Sequence, residues 1–336
     1  MSDSKGPIVH VSDDELGIAR RGRTRFRYVR ESTGAAVRSP ETLDRIRALA
    51  VPPAWTDVWI CSDPAGHLQA TGRDARGRKQ YRYHPAFRNR RERRKFDQLP
   101  TFGHGLSRLR RRVDADLRSA DLGRARVLAA VVSLLDLTYV RVGNESYARD
   151  NRSFGLTTLR CSHLDLDGNR LRLRFPGKAG RRFHVTCCDA RLARVARRCQ
   201  ELPGQLLFQY LDDDDRVTPI TSTDVNEYLR TTTDHDATAK TFRTWGATLL
   251  AARILATLEP PSTDRAASIA VNDALQTVAG RLGNSVAVCR SSYVHPTVLC
   301  QFADGTLPVK WEAGPRRGAS RLSADERKVL ALLDRR

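Results

Sequence analysis

Residues 88–95, RNRRERRK, carry no apolar side chain, and they separate two stretches of chain that read with different hydrophobic periods. Before this run the pattern is that of strands and turns. Residues 18–30 alternate Arg21, Arg23, Arg25 and Arg27 with small or aromatic residues, as a single strand with one charged face would. Ser39-Pro40-Glu41 opens a short helix that Pro52-Pro53 stops. Residues 55–61 and 67–71 read as strands joined by the turn Asp63-Pro64-Ala65-Gly66. In residues 72–85 basic side chains alternate with Gln80, Tyr81 and Tyr83. Beyond the run the pattern turns helical. Leu128, Val131 and Leu135 recur at helical spacing within 124–140, and helices are expected again over 223–230, 237–259 and 262–282. A β-meander interrupts at 163–166, 170–175 and 181–186, with turns at Asp167-Gly168-Asn169 and Pro176-Gly177-Lys178-Ala179-Gly180. A last amphipathic helix begins at a Ser323…Glu326 capping box. The expectation is an α+β chain with a small mixed domain, 1–90, and a mainly α domain, 91–336. The basic run would serve as linker and first turn of the second domain.

Charge narrows the partner. Lys and Arg number 58 against 38 Asp and Glu, a net of +20, and only seven of the basic residues are Lys. Such a surplus favours a polyanion, because each cation near a phosphate releases condensed counterions. No apolar run is long enough for a membrane span, and the N-terminus has acidic residues where a signal peptide needs a basic start. A cytoplasmic, nucleoid-associated protein is expected. The seven Cys lack zinc spacing and read as reduced thiols.

Common catalytic signals are missing: G-x-x-x-x-G-K-[ST], G-x-S-x-G, H-E-x-x-H and the carboxylate clusters of two-metal nucleases. For a basic, DNA-binding chain this leaves chemistry by side chains alone. Cutting a phosphodiester that way needs a nucleophile, fixed positive charge on the phosphate, a proton donor for the departing 5′ oxygen, and hydrogen bonds to the non-bridging oxygens. Arg suits the charge role, since it stays protonated and its fork fits two oxygens. Lys suits proton donation, since neighbouring cations lower its pKa.

Four segments occur in a telling order: YVRVGNESYARDNRSFGLTTLR at 139–160, the Lys178 turn, AKTFRTWGAT at 239–248 and LGNSVAVCRSSYVHP at 282–296. Together they resemble the type IB DNA topoisomerases, in particular the compact bacterial and poxvirus-type branch. PPAWTDVWIC at 52–61 and GHLQATGRDARGRKQYRYHP at 66–85 are similar to that family's N-terminal DNA clamp. The resemblance spans roughly residues 15–310. It implies a clamp around duplex DNA, with a catalytic domain of the topoisomerase IB/tyrosine recombinase type. It also implies relaxation of supercoils through a 3′-phosphotyrosine, with no cofactor, metal or ATP, by a monomer.

Carried over by position, Tyr293 matches the nucleophile, and Arg141 and Arg243 match the arginines on the scissile phosphate. Lys178 matches the general acid. Lys240, three residues before Arg243 and on the same helical face, and the N-domain residues Gln80, Tyr81 and Tyr83 match DNA contacts. Nine residues before the nucleophile, where poxvirus and nuclear members carry His, stands Asn284, as in some bacterial members. An amide donates a hydrogen bond to a non-bridging oxygen but supplies no charge. Its place after Gly283 is equally that of a helix N-cap. Two rivals stand beside this reading. A tyrosine recombinase uses the same chemistry but has H-x-x-R where this chain has Lys240-Thr241-Phe242-Arg243. A non-catalytic architectural protein would need the charge alone.

Overall fold

A computed structural model describes residues 7–334 apart from 24 and 319, so the first six residues of the N-terminus weighed above lie outside it. Two compact units divide at the end of one helix, Met1–Phe96 and Asp97–Arg336.

In the first unit β1 (Ile18–Arg21) and β2 (Arg27–Arg30) form an antiparallel hairpin, followed by α1 (Pro40–Ala48), β3 (Thr56–Ile60), β4 (Leu68–Arg73) and β5 (Lys79–Tyr83). The sheet runs β2-β1-β3-β4-β5, all antiparallel, so β5 is an edge strand. Ile18, Val58, Ile60 and Ala70 pack against Ile46 of α1 to form the core. Ser39 caps α1 by accepting from the Thr42 N–H. The single strand expected over 18–30 is two. The chain reverses at Gly22, whose φ of +98° suits glycine, and both arms keep the same basic alternation, which hid the turn.

The basic run is wholly helical. It lies within α2 (Pro85–Asp97), a continuous helix of 13 residues. Arg, Lys and Glu are good helix formers, and no breaker interrupts them. Pro85 stands first, where its missing N–H costs nothing.

The second unit begins with α3 (Leu99–Asp116), α4 (Arg124–Thr138) and α5 (Glu145–Asn151). The meander follows as β6 (Leu164–Asp167), β7 (Arg170–Pro176) and β8 (Arg182–Cys188), in that spatial order. Next come α6 (Ala190–Glu201), the short pair β9 (Gln209–Leu211) and β10 (Val217–Pro219), and α7 (Ser222–Thr233). The chain then runs through α8 (Ala239–Ala256), α9 (Asp264–Leu282), α10 (Val286–Ser292), α11 (Pro296–Ala303), α12 (Leu307–Glu312) and α13 (Ala324–Asp334). Within this unit α4 and α8 are buried along most of their length. Phe102 of α3 meets Phe242 of α8 edge to face, centroids 5.1 Å apart. Gly103 lets Trp245 close on α3: a Cβ there would stand 2.6 Å from the indole. The Ser323…Glu326 capping box forms, with reciprocal bonds of 2.7 and 3.2 Å. Among the described residues no helix is long and apolar enough to cross a membrane.

Candidate active site

The helix expected to reach residue 140 stops at Thr138, because Tyr139 turns left-handed at φ +57° and caps α4. That reversal frees the Tyr139 carbonyl, which accepts from Nη1 of Arg243. The Tyr139 ring lies against Gly246, where any side chain would collide with it. Arg141 follows two residues on, so the end of α4 and the first turns of α8 place the two arginines side by side. Arg243 is only 2% exposed, and its Nη2 donates to the Leu282 carbonyl at 2.8 Å. One guanidinium thus ties together the ends of α4 and α9.

Gly283 terminates α9 with φ +64°, and Asn284 follows, nearly buried. Asn284 is not the cap of α10; that place belongs to Ser285, whose side chain accepts from the Val288 N–H. The Asn284 Oδ1 instead accepts from Nη2 of Arg141. Lys178 sits on the one-turn 3₁₀ segment Lys178–Gly180 between β7 and β8. Two contacts tie that turn to Asn284. The Phe183 ring packs beneath both Gly177 and Gly283, and Arg181 donates through Nη1 to the Asn284 carbonyl at 2.8 Å.

Tyr293 ends α10 and is buried. Its carbonyl accepts from Thr248 of α8 at 3.3 Å, and the Arg243 guanidinium carbon lies 5.3 Å from its ring centre. His295 caps α11 through Nδ1, a structural role that suits its position.

Arg141, Lys178, Lys240, Arg243 and Tyr293 line one cavity of about 290 Å³, and Asn284 is bonded to it through Arg141. The lining holds four cations and no carboxylate. The electrostatic consequences are large. Burial, reinforced by the charge of Arg243, pulls the Arg141 guanidinium down to about 10. Burial likewise lowers Arg243. For Tyr293 burial raises the pKa, but Arg243, then Lys240 and Arg141, outweigh it and hold the phenol below its ordinary value. Arg141 Nη1, Arg243 Nε and Asn284 Nδ2 are buried donors without a hydrogen-bond partner among the described residues. Uncompensated positive charge beside idle donors is what an anion would relieve.

The first unit gathers only part of its expected surface. On β5, Tyr81 and Tyr83 are exposed and stacked, 6.0 Å apart at 9°. Gln80 points the other way and donates to Asp74 at 3.0 Å.

Comparison with known proteins now decides the family. Residues 84–312, more than half of the chain, match the family described as eukaryotic DNA topoisomerase I, catalytic core, and residues 25–74 match bacterial DNA topoisomerase IB, N-terminal domain. The chain belongs to the type IB DNA topoisomerases. A DNA topoisomerase 1B of Acanthamoeba polyphaga mimivirus is 31% identical over 259 residues, 75% of this chain and 77% of the relative. A type IB topoisomerase is a type I isomerase that relaxes supercoiled DNA.

The sequence reading missed Tyr139, Phe183 and Gly246, which hold the catalytic candidates rather than join them. Tyr139 and Gly246 stand inside the motifs quoted above, but their contacts span the chain, and a tyrosine carries no turn signal.

Proposed function

We propose that this topoisomerase cuts and reseals one strand through Tyr293, at a site formed by Arg141, Lys178, Arg243 and Asn284. The observation that carries the reading is the cavity in which a buried tyrosine of lowered pKa meets four cations and no carboxylate. Tyr293 gives up its phenolic proton to water, Oη attacks the scissile phosphorus, the bond to the 5′ oxygen breaks, and a 3′-phosphotyrosine forms. Arg141 and Arg243 balance the charge of the pentavalent phosphate, with Arg141 Nη1, Arg243 Nε and Asn284 Nδ2 as the donors still open to its oxygens. Lys178 gives a proton to the departing 5′ oxygen. After the helix turns, that hydroxyl attacks the phosphotyrosine, its proton returns to Lys178, Tyr293 leaves as the phenolate and regains a proton from water, and the strand closes. The covalent link conserves the energy of the broken bond, so no nucleotide, metal or other cofactor enters the cycle.

Lys240, Tyr81, Tyr83 and Gln80 would hold the duplex, with residues 1–90 and 91–336 acting as the clamp's two domains around it. Gln80 would have to leave Asp74 to do so. The enzyme would act as a monomer on the nucleoid of the cytoplasm.

The deciding experiment is relaxation of positively and negatively supercoiled plasmid with EDTA present and ATP absent, alongside trapping of the covalent adduct. Wild type should relax both and Tyr293→Phe should bind DNA without forming an adduct. Strict dependence on Mg²⁺ or ATP, or an adduct formed by Tyr293→Phe, would overturn the scheme. Strand exchange at a defined site would instead favour a recombinase.

A further inference from the structure

The last helix, α13, lies beyond the segment matched to the catalytic core, yet one of its side chains reaches toward both arginine-bearing elements. Glu326 is 5% exposed. Its Oε1 accepts from Arg110 Nη2 of α3 at 2.6 Å and from the Trp245 indole N–H at 3.3 Å, and its Oε2 accepts from Arg110 Nη1 at 2.9 Å. Arg110 in turn grips Asp136, on the last turn of α4, through Nε at 2.7 Å and Nη2 at 2.9 Å. Its remaining bond goes to the Arg321 carbonyl at 2.7 Å. Every edge of the guanidinium is committed, so its one positive charge is shared between two carboxylates, Glu326 and the partly exposed Asp136.

The geometry of the two arms matters. Asp136 stands three residues before Tyr139, the carbonyl that holds Arg243, and five before Arg141. Trp245 stands two residues after Arg243 on α8, wholly buried. Arg110, Asp136 and Glu326, with Tyr139 and Phe242, line a solvent-open groove of about 510 Å³. The end of α4 is thus held to α8 in two ways, by the Tyr139 ring packed on Gly246 and by the ion network that runs through Arg110 to Glu326 and Trp245.

We propose that Glu326, acting with Arg110, is a positioning residue that fixes the spacing of Arg141 and Arg243 before DNA arrives. The inference rests on the catalytic assignment of those two arginines. Loosening the network lets the end of α4 shift against α8, and a displacement of about 1 Å at reacting groups can cost roughly a hundredfold in rate. DNA affinity, spread over many phosphate contacts, would hardly move.

The test is single-turnover cleavage and religation on one duplex substrate, with noncovalent DNA affinity measured in the Tyr293→Phe background. Glu326→Gln keeps the shape but loses the charge, and both rate constants should fall about tenfold or more while affinity stays within about twofold. Asp136→Asn weakens the α4 arm, and Trp245→Phe removes the α8 hydrogen bond together with part of the indole's packing on α3; each should slow cleavage less than Glu326→Gln. These two also keep the proposal open to refutation if Glu326→Gln does not fold. Leu333→Ala, on the same helix and outside the network, is the structural control: it should lower Tm and leave both rates intact. Wild-type rates in all three network variants, or an equal loss in Leu333→Ala, would overturn the positioning role. Arg141→Ala and Arg243→Ala separate the two failures. If those cleave normally the catalytic reading falls; if they are slow while the network variants are not, only the positioning inference falls.

Discussion

Arg141 donates through Nη2 to Oδ1 of Asn284, so the amide is oriented with its oxygen toward the arginine and its nitrogen left without a hydrogen-bond partner among the described residues. Asn284 therefore has two separable functions, as acceptor for the arginine and as donor for a phosphate oxygen. Asn284→Ala removes both, and losing one such donor costs roughly a hundredfold to a thousandfold at other oxyanion sites. We expect the lower end or less, because two arginines remain. Asn284→Asp keeps the grip on Arg141 and loses the donor, so it should be no better than Asn284→Ala. Asn284→His can accept on one nitrogen and donate on the other, and should retain activity. Single-turnover cleavage by the three variants checks this; an Asn284→Asp enzyme as fast as wild type would refute the donor role.

Tyr293 should titrate early. Its phenol is held below the ordinary value of about 10 because Arg243, Lys240 and Arg141 outweigh burial. Two other tyrosines move the opposite way: burial pushes Tyr139 up to about 12, and burial plus the Asp116 carboxylate raise Tyr228. The tyrosinate absorbance lost on Tyr293→Phe should thus be a single transition below the ordinary range. The linked stability has a definite sign. A depressed folded-state pKa means that the ionised form favours the fold. The contribution is complete above the unfolded value and is lost as pH falls through the folded one. The stability difference between wild type and Tyr293→Phe should therefore shift in favour of wild type across that window. No change across it would contradict the electrostatic picture.

How much of this was legible beforehand differs residue by residue. The Lys178 turn could be read because Pro176-Gly177 and Gly180 announce a reversal, and the final helix because Ser323 and Glu326 stand at capping-box spacing. Arg141, Arg243 and Tyr293 were legible only through their motifs, since 51 arginines make any one of them anonymous by composition. The opposition of Gln80 to Tyr81 and Tyr83 follows from the two-residue period of a strand, yet motif matching grouped the three together. The reversal at Tyr139, the Phe183 ring under two glycines and the Glu326 network were not legible. Each depends on contacts far apart in sequence, and local pattern carries no information about them.

Glycines supply a pair of predictions of opposite sign. Gly246→Ala drives a methyl group into the Tyr139 ring, which cannot easily retreat because its own carbonyl is bound by Arg243. Overpacking of this kind costs about 1–3 kcal/mol, and cleavage should slow as well, through Arg243. Gly280→Ala meets open space on α9 and should stabilise by about 0.5–1 kcal/mol, the usual advantage of Ala over Gly within a helix, with no effect on cleavage. Thermal unfolding and single-turnover rates measured on both variants check the contrast. A neutral Gly246→Ala would mean that the ring yields and that the Tyr139–Arg243 link is slack.

Lys178 offers the sharpest chemical test, because its proposed task, protonating the 5′ oxygen, can be made unnecessary. On DNA with a sulfur in the 5′-bridging position the leaving group departs as a thiolate and needs no proton. Lys178→Ala should cleave the ordinary phosphodiester slowly and recover substantially on the sulfur substrate. Lys178→Arg should behave like Lys178→Ala, since a guanidinium holds its proton more firmly than an ammonium. Asn284→Ala should gain nothing comparable, since its proposed partner is a non-bridging oxygen that both substrates share. The two residues are physically tied, Lys178 to Asn284 through Phe183 and Arg181, so a displaced turn could mimic a lost acid. Phe183→Leu controls for that: it loosens the turn but leaves the ammonium in place, and any slowing it causes should persist on sulfur. Equal rescue of Lys178→Ala, Asn284→Ala and Phe183→Leu would remove Lys178 as the proton donor and leave it a structural part of the turn.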